Sequence, residues 1–481
     1  GKPDSNGKLS LINEVVDLSI DSTGLKGTVK AASANVSVSD VLANRFDGLT
    51  PEQQNEAVNN VRKTIAQVQK YKSFARHLGG SNDSVVVEND LMKVTFDTRG
   101  GIVSQVELKK YKTEVGAEPA NIRLFNGEND GYGFTLTTSD QRFNTREFNF
   151  KPTVENDSTV LMTLDLGTGA QWGLRYTVHH SKYLVKMDIV QKGMGSILPE
   201  STSTIDFNWH NQMARNEKGR TFEERNSAIH YKFVGEGPDE LSAIGDDSEQ
   251  LTGRIKWFAF KNQFFSSVLI ADDYLSSANL NSTEIKDSRF LKDMTAHATA
   301  PYTIGDGTPA GFFFYFGPND YPLLSSIDDE IGGDEGLSLT RLVPLGWGIF
   351  RWINQFIVIP VFSFLGRFIS DYGIIILLLT IFIKIIIFPF TYKSFKSQAR
   401  MRVLAPEIKE INDKYPGQEN AMKRQQETMA LYSRAGASPF SGCLPLILQM
   451  PVLVAMFSFF PSAIELRGQS FLWSHDLSSY D

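Results

Sequence analysis

Residues 372–392 read YGIIILLLTIFIKIIIFPFTY. As a helix this run is roughly 30 Å long, enough to cross the hydrocarbon core of a bilayer, and tyrosines stand at both ends where a membrane meets water. It predicts a transmembrane helix over 372–392. Its one charge is Lys384. An ammonium at membrane depth costs at least a few kcal/mol, so such a residue normally faces a wet cavity and marks a pathway or a ligand site. The competing reading is snorkelling. Lys393 lies nine residues on, roughly 13 Å along the helix, and a lysine stem covers part of that distance.

Working outward, Thr380 is one turn from Lys384 on the same face. A second uncharged run, Pro439 to Phe460, predicts another span and tolerates its prolines 445 and 451 as membrane helices do. Gln449 is ten residues into it, at a depth comparable to Lys384. One Gln alone is as readily interhelical glue. Beside a buried cation, Thr380, Lys384 and Gln449 together predict a polar groove in one half of the bilayer.

Between the spans, residues 393–436 hold nine Lys/Arg against five Asp/Glu, net +4, leaving −11 for the remainder of a chain whose net charge is −7. The segment reads as two polar helices, 393–413 and 418–435, broken at Tyr415-Pro416-Gly417. Lys393, Lys396, Arg400 and Arg402 crowd the end of the first span, so the positive-inside rule puts this hairpin in the cytosol and the N-terminal bulk of the chain outside. Arg400, Arg402, Lys409, Lys423 and Arg424 are its candidate contacts for a ribosome or a nascent chain; a merely solvated hairpin is the equal alternative. Residues 346–370 predict an amphipathic helix lying in the interface, with Arg351, Asn354 and Gln355 on one polar face, Trp347 and Trp352 at headgroup level, and Pro360 breaking the run.

Upstream, residues 84–338 alternate with period two. Trp172, Leu174, Tyr176 and Val178 point one way, with Arg175, Thr177 and His179 the other, and Thr98-Arg99-Gly100-Gly101 and Asn156-Asp157-Ser158 supply turns. A large antiparallel β-sandwich follows. Residues 1–83 read as a linker-like region with weak strand-like stretches at 9–20 and 27–38 and a polar helix from Thr50 to about Leu78. Cys443 is the single cysteine and, inside an apolar span, reads as a small hydrophobe. His179-His180 would face opposite sides of a strand, so no metal site is expected, and no cofactor. No phosphate-binding loop, nucleophile elbow or zinc-protease motif occurs, and nothing marks recognition of nucleic-acid sequence.

RMRVLAP (400–406), MALY (429–432), SPFSGCLPLILQMP (438–451), ELRGQSFLW (465–473) and HDLS (475–478) closely resemble the YidC/Oxa/Alb family of membrane protein insertases over 346–481. FDTRGG (96–101), NQFF (262–265) and FGP (316–318) resemble the bacterial form. The resemblance implies a mixed fold, with a large antiparallel β-supersandwich periplasmic domain followed by an α-helical membrane insertase core. That core has five helices around a groove open to cytosol and lipid, in the bacterial inner membrane, with nascent membrane proteins, lipids, a ribosome and a Sec-type translocon as partners. The groove cation is usually arginine; Lys384 keeps the charge and loses the guanidinium fork. Segment 462–481 would be periplasmic, an upstream anchor is expected, and three further spanning helices are expected beyond Asp481, so the core is incomplete in this chain. A second reading, a membrane-anchored periplasmic carbohydrate-binding protein or sugar enzyme, stays open; a plain anchor would have no reason to keep Lys384.

Overall fold

The computed structural model of the chain describes residues 9–12, 16–21, 24–31, 34–116, 119–125, 129–167, 169–286, 288–437 and 444–478. It divides into two units, residues 1–342 and 343–481. Cys443 and the first residues of the second predicted span, 439–443, lie outside the described residues.

The described residues of 1–83 fold into a small subdomain and do not read as a linker. Strands β1 (Leu9–Ile12), β2 (Val16–Asp21), β3 (Gly24–Ala31) and β4 (Ala34–Ser37) form an antiparallel meander, followed by α1 (Val38–Leu42) and α2 (Pro51–Tyr71). Val29, Ala31, Val36, Val38, Ala57 and Val61 make a core of their own. The polar surface of α2 hid this, because only a narrow stripe of it is buried. Its start was legible: the Thr50 hydroxyl accepts from Gln53 N, and Gln53 Oε1 accepts from Thr50 N, a reciprocal cap. Its end was not. The α-helix stops at Tyr71, Lys72 takes φ +48°, and a 3-10 stretch continues to His77.

Strands β5 (Ser84–Glu88), β6 (Met92–Asp97), β7 (Ile102–Lys112) and β8 (Asn121–Leu124) form a four-stranded antiparallel sheet. The rest of the domain is one 13-stranded sheet. Its strands are β9 (Gly131–Thr137), β10 (Arg142–Asn144), β11 (Lys151–Asn156), β12 (Thr159–Gly167), β13 (Ala170–Val178), β14 (Leu184–Lys192) and β15 (Thr204–Ala214). After the short α3 (Arg220–Arg225) come β16 (Ala228–Phe233), β17 (Pro238–Glu240), β18 (Asp247–Lys261), β19 (Phe265–Glu284), β20 (Phe290–Pro301) and β21 (Gly307–Pro318), then α4 (Tyr321–Ile331).

The sheet folds back on itself at β19. The first half of this strand, Phe265–Ala271, pairs with β21, and its second half, Ser277–Glu284, pairs with β20. One leaf therefore runs through β20, β15, β9 and β10, and the other through β21, β14, β13, β12 and β11. Rings from the two leaves meet in the core: Phe207 with Phe312, Phe134 with Trp172, and Trp209 with Phe314 at 5.4 Å. Trp172, Leu174 and Tyr176, expected on one face, are all fully buried. Hydrogen bonds from Val103 N to the Tyr132 hydroxyl, from there to the Tyr176 hydroxyl, and on to Gly101 O tie the small sheet to this core. Gly101 is required there: its φ is +65° and a Cβ would lie 2.7 Å from the Phe150 ring.

In the second unit, Pro360 does not break the apolar run. An α-turn stretch α5 (Ile349–Ile353) passes through a π-turn, Asn354–Val358, into α6 (Ile359–Gly366). Pro360 falls near the start of α6, next to the π-turn, where local rearrangement of the hydrogen-bond ladder accommodates a missing N–H. By length and composition 349–366 is long and apolar enough to cross a membrane, although the sequence predicts it in the interface. Asn354 also departs from the expected polar face: it is fully buried. The first predicted span continues without a break as α7 (Tyr372–Val403), 32 residues, capped by Asp371. Residues 393–403 therefore belong to the same helix as the predicted span. The hairpin proper is α8 (Ala405–Lys414) and α9 (Ala421–Arg434), and α10 (Leu444–Phe459) is the described part of the second apolar run.

Candidate functional site

Along α7 the buried apolar side chains are Ile375, Leu379, Ile383 and Ile387, four apart and hence on one stripe. Thr380 and Lys384 follow Leu379 and Ile383 by one position, so they flank that stripe. They line a cavity of about 410 Å³ with Ile383 and Ile387. The facing wall is α10: Gln449, Val452, Leu453, Met456 and Phe457, closed by Phe460 and Pro461. The structure thus brings Thr380, Lys384 and Gln449 to one cavity, as the sequence predicts. The Thr380 hydroxyl is occupied, donating to Ile376 O at 2.8 Å. Among the described residues Lys384 has neither an ion-pair nor a hydrogen-bond partner, so the cavity carries one free cation against a lining that is apolar apart from Thr380 and Gln449. Such a cavity can solvate a polar or acidic group while its walls hold an apolar chain.

The five hairpin residues divide. Arg400 donates to Gly436 O at 2.9 Å and Arg424 to Tyr415 O at 3.3 Å, so these two guanidinium groups bind the hairpin's own backbone. Arg402, Lys409 and Lys423 are exposed.

Sequence reasoning missed Asn354, whose amide donates to Leu345 O at 2.9 Å and Ala455 O at 2.7 Å. Its signal was an amide pair, Asn354-Gln355, in a run of Ile, Phe and Val. It also missed two buried charges of the β-domain. Glu223 is fully buried and accepts from Asn216 N and Glu217 N; burial first, then repulsion from the Glu217 carboxylate, pushes it up to about 8. Lys261 donates to Asn226 O, and burial pushes it down to about 8 against the opposing pull of Glu240. Short-range pattern does not reveal either, since nothing in the flanking residues distinguishes a buried Glu or Lys from an exposed one.

Two family models match the chain: the YidC periplasmic domain over residues 84–360 and the 60Kd inner membrane protein over residues 364–481. A membrane protein insertase YidC of Parabacteroides distasonis is 45% identical over 415 residues, covering 86% of this chain and 65% of the relative. The Azobacteroides pseudotrichonymphae protein of the same name is 40% identical, covering 88% of this chain and 70% of its own length. The chain thus spans about two thirds of the length of these curated relatives. Among solved structures, an active YidC insertase with its first transmembrane domain resolved is 18% identical, with TM-score 0.30, 87% of this chain and 81% of that one covered. A galactose mutarotase-like protein from Lactobacillus casei is 10% identical, with TM-score 0.33, 49% of this chain and 100% of that one covered. On the family models and the curated relatives, the chain belongs to the YidC family of membrane protein insertases.

Proposed function

We propose that this chain forms part of a bacterial inner-membrane insertase and chaperone, a multi-pass protein that helps newly made membrane proteins enter and fold in the bilayer. The observation that carries this reading is the unpaired Lys384 in the cavity between α7 and α10. A nascent segment presents a polar flank and an apolar body. The cation and Gln449 offer the flank a substitute for water, and the apolar walls lead the body towards lipid. Lowering the cost of desolvation at that stage is enough, and no covalent step enters the scheme. Clients are nascent membrane proteins, with lipid around them. Arg402 at the end of α7, with Lys409 and Lys423 on the hairpin, suits the phosphate backbone of a ribosome or an acidic partner, and a Sec-type translocon would share clients with the groove.

Insertion of an acidic-tailed, translocon-independent client should be measured in the full-length protein at matched expression. Lys384→Leu should slow it about tenfold or more, which corresponds to ~1.4 kcal/mol or more of lost stabilisation. Lys384→Arg should be tolerated because the charge persists. The Leu variant relieves the cost of burying a charge, so lost activity there would not stem from a weakened helix. Wild-type rates in the Leu variant would mean that Lys384 only snorkels.

A further inference from the structure

Helix α10 reads LPLILQMPVLVAMFSF, apolar on all sides but for Gln449 and Ser458. In lipid, where apolar surfaces gain little by choosing one another, such a surface does not select one rotation about the helix axis over another. Yet the groove needs one rotation: Gln449, Val452 and Met456 line the cavity, while Ala455 is fully buried on another side. Something must mark that side. The Ser458 hydroxyl does not, because it bonds back to Val454 O of its own helix.

Among the described residues, two side chains outside α10 bond to its backbone: Ser462, in the turn that directly follows it, donates to Ser458 O, and Asn354, from a separate element, donates to Ala455 O. Its amide nitrogen donates to Ala455 O and to Leu345 O, so one side chain ties the 343–345 segment, the π-turn and α10 together. The backbone is close here: Gly346 has φ +81°, and a Cβ on it would lie 3.2 Å from both Phe350 Cβ and Ser458 Oγ. The π-turn places Asn354 inward among apolar neighbours, and its Oδ1 is buried without a partner. A buried amide left half satisfied opposes stability; an apolar residue would pack there without that cost. What the amide supplies instead is direction.

We propose that Asn354 is a positioning residue that sets the rotation of α10, and through it keeps Gln449 turned into the groove opposite Lys384. This rests on the groove reading above, but it concerns geometry and can be tested apart from insertion. In the full-length protein made free of other cysteines, two pairs are compared in membranes with a bis-maleimide: Thr380→Cys with Val452→Cys, both lining the groove, and Thr380→Cys with Val454→Cys, the second lying off it. The native protein should crosslink the groove pair preferentially; no preference would already sink the proposal. Asn354→Leu should lower the ratio of groove to off-groove crosslinking several-fold while membrane levels hold, and Asn354→Ala serves if the Leu variant does not accumulate. A helix that was merely loosened would lose both crosslinks together, and that result, like an unchanged ratio, overturns the assignment. If Lys384→Leu inserts clients normally while the ratio still shifts in the Asn354 variants, the insertase reading fails and the positioning role stands.

Discussion

Glu223 and Lys261 pull the stability of the β-domain in opposite directions with pH, in adjacent windows. Glu223 is raised from 4.5 to about 8, so between these values the folded state holds a proton that the unfolded chain has lost, and stability falls as pH rises. Lys261 is depressed from 10.5 to about 8, so above pH 8 the unfolded chain binds the extra proton and stability rises again. From these two groups alone the minimum lies near pH 8. Denaturation in detergent, followed by tryptophan fluorescence, should show a loss on the order of 2–4 kcal/mol between pH 5 and 8 that Glu223→Gln largely removes. An equally steep loss in the Gln variant would assign the trend to other groups. At this scale the sequence revealed polar exceptions where the surroundings were uniformly apolar: Lys384, Thr380 and Gln449 could be placed by depth alone. Asn354 was misplaced because α-helical periodicity assigned it to a polar face, and the π-turn shifts the faces by a residue. Glu223 and Lys261 were illegible because a charged residue carries no mark of burial in the residues that flank it.

Among elements, strands were the most readable, since period-two alternation survives wherever one face meets a core. Helix ends were less so. The polarity change at Lys393 suggested a boundary, but backbone hydrogen bonding is indifferent to polarity, and α7 runs on to Val403. A deletion that tests the hairpin should therefore begin at Ala405 and end at Arg434. It should abolish insertion and leave the protein in the membrane; full activity would remove α8 and α9 from the mechanism. The four N-terminal strands were undervalued for the opposite reason, because their core is small and α2 is polar over most of its surface. Thr50→Ala should destabilise α2 by ~1 kcal/mol, the usual cost of losing such a cap, read as faster amide exchange along residues 51–71. Unchanged exchange would show that the packing on β3 alone holds the helix.

For the whole molecule, the arrangement predicted from basic clustering puts 84–338 in the periplasm and 393–436 in the cytosol. Protease added to spheroplasts should cut the former only at exposed loops and spare the latter; the reverse pattern would overturn the orientation and the groove with it. Because the N-terminal subdomain packs on the β-domain through Phe74, Phe143 and Phe148, the two should be removed as one piece. A full-length protein lacking residues 9–342 should still support insertion, and complete loss at normal membrane levels would favour a ligand-binding role for the β-domain.

The shared strand β19 also governs the timing of synthesis. Hairpins among β11 to β14 can form early, but β14 finds its other neighbour only in β21, and β15 waits for β20. The two leaves stay unjoined until the chain has emerged as far as Pro318, some two hundred residues after Gly131 (roughly 190). Until that point the edges of β14 and β15 stand open to wrong partners. Chains halted before Gly307 should remain protease-sensitive throughout the domain, whereas those released after Pro318 should become resistant in a single step.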